Sequence, residues 1–147
     1  MKNSMFLIMI TVFVSCQSQK KVLDKAITSM EEVYFESWVA GVRGGGAGIN
    51  FHVNFKKPLS EDIQLKKVMF KGKEAVFSTQ DSLHYTANSI TKIGGRSKVD
   101  EEESNEPLPE SNAAKLYFIV KGKSVVHALK NVKEKKTLYY PAMNKPR

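Results

Sequence analysis

The chain has 147 residues, a formal net charge of +8 and a single cysteine, Cys16. One cysteine excludes an internal disulfide framework, and a hydrophobic content of 41% excludes a chain too polar to fold. The length suits one domain behind a targeting segment, and no apolar run approaches the roughly 20 residues of a membrane-spanning helix.

The N-terminus reads as an export signal. Lys2 supplies a positive start, and Met5 to Val14 is an apolar run interrupted only by Thr11. A secretory apolar region needs roughly 7–15 residues after a basic start. A cut before Cys16 leaves the small Ser15 at the cleavage site, but the large Phe13 two residues earlier. Ordinary signal cleavage wants small residues at both places. The lipoprotein pathway accepts a large apolar residue at the outer one and requires the cysteine. Residues 1–15 are therefore predicted to be a lipoprotein signal peptide, and Cys16 the lipidation site. The competing reading is a plain secreted chain with an incidental cysteine. Acyl chains on Cys16, at about 0.8 kcal/mol per buried methylene, would make the attachment effectively permanent. Gln17 is not the Asp that retains lipoproteins in the inner membrane of many enteric-type bacteria. Gln17-Ser18-Gln19-Lys20 also lacks an acidic surface-export cluster. The expected location is the periplasmic face of the outer membrane.

Residues 16–33 are predicted to be the lipidated cysteine and a tether. Val22, Ala26, Met30 and Val33 recur near helical spacing, but the flanking lysines suggest a solvated or membrane-facing segment. From Tyr34 the period becomes two, with both faces substantially apolar up to Arg43, as in a central strand. After Gly44-Gly45-Gly46-Ala47-Gly48, Ile49, Phe51, Val53 and Phe55 alternate with Asn50, His52, Asn54 and Lys56, the pattern of a half-buried strand. Further strands are expected over Ile63–Phe70, Glu74–Phe77, His84–Ile93, Leu116–Val120, Ser124–Leu129 and Thr137–Tyr140, with tight turns at Gly72 and Gly122. Ser97 to Asn112 is a polar, acidic connection, longer than most loops of compact domains.

About seven short strands with turn signals between them predict an all-β fold, an antiparallel β-sandwich of immunoglobulin-like outline over residues 34–147. The Cys-Trp-Cys core of antibody domains is absent, and no internal repeat is evident.

Candidate chemistry is sparse. The glycine run after Arg43 lacks a Walker lysine and a following helix, so it does not read as a nucleotide loop. It is either a hairpin or bulge, or a loop that binds a ligand through backbone amides, with Arg43 as its charge. Arg43, Gly44, Gly45, Gly46 and His52 are the candidate ligand contacts. His52, His84 and His127 have no metal-type spacing, and the consecutive acids Asp100 to Glu103 do not space oxygens as a calcium loop does. No metal site or cofactor is predicted. No nucleophile motif occurs, so a non-enzymatic protein is expected. The aromatic residues around Tyr34, Trp38, Tyr117 and Tyr139 read as core, or as a stripe for glycan or protein.

Charge is uneven. Asp100, Glu101, Glu102, Glu103, Glu106 and Glu110 hold six of the fifteen acids, so the rest of the chain is strongly basic and suited to anionic envelope components or acidic proteins. Nucleic acid is not expected, for want of a motif and of the compartment.

Trp38-Val39-Ala40-Gly41 leading to Gly44-Gly45-Gly46-Ala47-Gly48-Ile49-Asn50, the segment Val68-Met69-Phe70-Lys71-Gly72-Lys73, and Val132-Lys133-Glu134-Lys135 followed by Leu138-Tyr139-Tyr140-Pro141 resemble a group of small, uncharacterised lipoproteins of gram-negative bacteria. The resemblance implies an exported, lipid-anchored β domain and no particular activity. The expected function is a lipid-anchored envelope protein with a non-enzymatic binding or structural role. The alternative is a ligand-binding module for an anionic small molecule or glycan.

Overall fold

The structure, a computed structural model, describes residues 14–41, 45–92 and 111–140, with backbone alone for 14–19 and 92. Most of the signal segment, Arg43 and Gly44, and the acidic residues of the long connection lie outside the described residues. Among the described residues one helix, α1 (Val14–Thr28), precedes eight strands: β1 (Met30–Ala40), β2 (Ala47–Phe55), β3 (Ile63–Phe70), β4 (Lys73–Thr79), β5 (His84–Lys92), β6 (Ala114–Val120), β7 (Lys123–Leu129) and β8 (Lys133–Tyr140).

Each strand follows from its side-chain alternation. Ile49, Phe51, Val53 and Phe55 of β2 are buried, with Asn50, His52 and Asn54 between them turned outward. In β3 a register shift between Leu65 and Lys67 resets the alternation, so that Ile63 and Leu65 before it and Val68 and Phe70 after it all face inward. Lys71-Gly72 and Lys121-Gly122 all have positive φ, the geometry of two-residue hairpin turns that match strand twist. The two Lys-Gly hairpins repeat one unit, Phe70-Lys71-Gly72-Lys73 against Val120-Lys121-Gly122-Lys123. Their first strands, β3 and β6, pair antiparallel, which relates the hairpins by an approximate two-fold axis. An added Cβ at Gly72 meets nothing within 4 Å, so Gly72→Ala should cost only the left-handed strain, about 1 kcal/mol. Urea unfolding checks this, and Gly122→Ala should match it.

All eight strands form one sheet in the order β7-β6-β3-β4-β5-β2-β1-β8. The all-β expectation holds. The immunoglobulin-like sandwich is not confirmed: all eight strands belong to one sheet, in which β4 pairs with β3 on one side and β5 on the other. The sheet instead coils on itself. β1 and β3 are four strand positions apart, about 19 Å in a flat sheet, yet the rings of Phe35 and Phe70 lie 4.8 Å apart. The edges approach as well. Only Lys130, Asn131 and Val132 join β7 at one edge to β8 at the other, and that connection spans at most about 14 Å. Val132 is buried there, and its N–H donates to Asn112 O. β8 then runs parallel to β1, the one parallel pair among the described residues.

The predicted tether is corrected. Leu23 and Ala26 of α1 belong to the buried core, with Val22 and Ile27 packed against it, and α1 contacts β3 and β6. Lys20, Lys21 and Lys25 are exposed beside this apolar stripe, so lysines near it do not prevent burial. The helix ends where side chains cap it: Thr28 Oγ1 donates to Asp24 O at 2.7 Å, and Ser29 Oγ to Ala26 O at 2.7 Å. β1 starts directly afterwards, four residues before the expected Tyr34. The packed body therefore begins within α1.

Candidate functional site

His52 lies on the outer face of β2, in a row that crosses four strands. Tyr34 of β1 pairs with Lys133 of β8 and with His52, and His52 pairs with Thr86 of β5. The rings of Tyr34 and His52 stack at 4.6 Å and 17°. Lys135 Nζ sits 3.5 Å from the Tyr34 ring centroid and donates to Glu32 Oε2 at 2.9 Å. An ammonium, a phenol ring and an imidazole are thus stacked. The hydrogen bond to Glu32 holds the Lys135 pKa above its ordinary value.

In the tautomer that suits both neighbours, the Thr86 hydroxyl donates to His52 Nδ1 at 3.1 Å, and Nε2–H faces Glu36 Oε2 at 3.5 Å. Nε2 is buried without a hydrogen-bond partner among the described residues. Burial pushes the His52 pKa below 6.5, outweighing the upward pull of Glu36. The unfolded chain therefore binds a proton near pH 6.5 that the folded chain binds only at lower pH, so stability rises with pH across that window. Urea unfolding at pH 5 and pH 7.5 should show a smaller stability at pH 5, and His52→Gln should flatten this dependence. An unchanged slope in the variant would assign it to other groups.

Among the described residues, the predicted contact Gly46 does not join His52. Gly46 O accepts the Ala40 N–H at 2.9 Å, extending the β1–β2 hairpin. His52 lies six residues further along the chain, about 20 Å at strand spacing. Arg43 and Gly44 lie outside the described residues. His84 is elsewhere, paired with Asp81. Backbone N–H donation from His84, its ring, and the N–H of Leu83 hold Asp81 well below the usual carboxylate range. Among the described residues no three His, Cys, Asp or Glu side chains converge as metal ligands. Sequence reasoning missed the partners of His52, because Glu36 reaches it through the register of β1 on β2 and Lys135 through the pairing of β8 with β1.

A second feature lies under α1, where sequence suggested a solvated tether. A cavity of about 510 Å³ opens between the helix and the β2–β3 connection. Its apolar floor comprises Val22, Ala26, Leu59 and Ile63. Lys21 and Lys25, one helical turn apart, line it from α1, and Lys57 lines it from the connection. An adjoining recess adds Lys56 beside Lys25 and Lys57. Among the described residues these lysines form no ion pair, and Asp62 is the one acid in the cavity lining. Apolar area with several cations suits an anion that carries a hydrocarbon part.

Comparison with protein-family models, curated proteins and solved structures gives no match for the chain.

Proposed function

We propose that the chain is a lipid-anchored envelope protein with a non-enzymatic binding or structural role, held by an acylated Cys16 at the periplasmic face of the outer membrane. The burial of Leu23 and Ala26 carries this reading. Cys16 and Leu23 belong to one helix, about 10 Å apart along its axis. A lipid on Cys16 would then hold the β body at the membrane surface instead of on a long flexible leash. Lys20, Lys21 and Lys25 on α1, with Lys56 and Lys57 beside it, would face the anionic headgroups of the bilayer. The non-enzymatic role rests on the lack of a nucleophile motif in the sequence. Membership of the small gram-negative lipoproteins that the sequence resembles is part of the same proposal.

Radioactive palmitate labelling with membrane fractionation tests the anchor. The wild-type chain should label and sediment with membranes, and Cys16→Ser should do neither. Equal labelling of both would sink the anchor.

The second reading, a module for an anionic small molecule or glycan, is favoured by the lysine-lined cavity under α1. Its contact residues then become Lys21, Lys25 and Lys57 in place of the glycine run and His52.

A further inference from the structure

We propose that the cavity under α1 binds a single-chain anionic amphiphile: an alkyl chain that ends in a phosphate or carboxylate. This names the ligand class of the second reading above and rests on it. Two chemistries meet in one cavity. Val22 and Ala26 from the helix and Leu59 and Ile63 from the opposite wall reward the burial of hydrocarbon. Lys21, Lys25 and Lys57 reward an anion. Lys21 and Lys25 stand at i, i+4, where like charges repel, and an anion between them and Lys57 removes that repulsion. The volume of about 510 Å³ falls within the roughly 300–1,000 Å³ of small-molecule sites.

Each simpler ligand uses half of the site. Inorganic phosphate would use the lysines alone, and an uncharged alcohol the floor alone. A bilayer headgroup would meet the lysines without putting its chain into the cavity.

Calorimetric titration of the full chain carrying Cys16→Ser, which has no acyl group of its own to compete, separates these cases. The probes are octyl, decyl and dodecyl phosphate below their micelle concentrations, inorganic phosphate, dodecanol, and phosphatidylglycerol vesicles. The alkyl phosphates should bind at one site, with affinity rising roughly fourfold per methylene. The double variant Lys25→Gln/Lys57→Gln should bind dodecyl phosphate at least tenfold more weakly. Val22→Trp, which fills the floor and keeps the charges, should do the same. If that variant fails to fold by circular dichroism, the lysine variant decides. Lys73→Gln/Lys123→Gln, at the two hairpin turns, should bind as the unaltered chain does.

A flat chain-length series, or inorganic phosphate binding as tightly as dodecyl phosphate, would overturn the proposal. So would dodecanol binding as tightly, or vesicle binding without one-site binding of alkyl phosphates. Inorganic phosphate binding as tightly as dodecyl phosphate, and lost in Lys25→Gln/Lys57→Gln, would overturn the amphiphile and leave the second reading standing, and palmitate labelling of the wild-type chain in parallel tests the anchor separately. Labelled Cys16 with no alkyl phosphate binding overturns the cavity site and leaves the anchored protein standing.

Discussion

Phe35→Ala should destabilise the fold by about 3–5 kcal/mol, the range for removing a large aromatic side chain from a packed core. Phe35 is fully buried in β1. Its ring packs at 4.8 Å on Phe70 from β3, and Phe70 packs at 5.1 Å on Phe51 from β2. Lys71 Nζ closes the cluster, 5.1 Å from the Phe35 ring centroid and 5.7 Å from that of Phe70. These rings hold the two halves of the coiled sheet together, so the truncation leaves a void where the sheet depends on contact between non-neighbouring strands. Domains of this size have roughly 5–15 kcal/mol of total stability, so the variant should unfold at a much lower urea concentration. A loss below about 1 kcal/mol would mean that the sheet is not coiled around this residue.

Gly48→Ala should cost about 2–3 kcal/mol through overpacking, although it adds a single methyl group. A Cβ at Gly48 would lie 2.4 Å from the Ser89 carbonyl oxygen on β5 and 2.6 Å from the Trp38 indole on β1. The first neighbour is backbone of a paired strand and cannot swing aside. The second is a ring lying across the glycine, with Tyr140 edge-on to it at 6.1 Å. Trp38 is the one tryptophan in the chain, so its fluorescence reports the same displacement. Gly48→Ala should both lower the unfolding midpoint and shift the emission maximum. Wild-type stability with unchanged emission would show that the indole does not lie over Gly48.

These two positions show which parts of the fold the sequence discloses. The alternation around Phe51 identifies β2 without any partner, and Gly72 and Gly122 mark their turns by a need for positive φ. Within the described residues each segment expected as a strand contains one, although β1 ends at Ala40, because each signal is local. Long-range order is different. No local pattern says that β4 bridges the two halves, or that β8 returns parallel to β1, because strand partners are chosen by packing across the whole chain. Of the residues at helical spacing, Val22 and Ala26 lie in α1, but Met30 and Val33 lie in β1, and the burial of α1 was not legible. Its apolar stripe of Val22, Leu23, Ala26 and Ile27 is narrow, and the lysines beside it dominate the composition.

The site follows the same division. The outward position of His52 was legible from strand period, but its stack with Tyr34 and Lys135 depends on register across three strands. Arg43, Gly44, Gly45, Gly46 and His52 are the contacts expected from sequence, and the strand rise separates Gly46 from His52 by about 20 Å. The lysine-lined cavity had no sequence signal of its own. Lys21 and Lys25 come from the helix, and Lys57 with Leu59 from a connection that simply read as a break.

In the proposed function Cys16 is the lipidated first residue of a body held against a membrane through α1. The most direct measurement is the mass of the N-terminal peptide from the chain expressed in a gram-negative host and recovered from its membranes. The expected peptide begins at Cys16 and carries diacylglyceryl and acyl groups. A peptide that begins at Met1, or an unmodified Cys16, would rule out the lipid anchor.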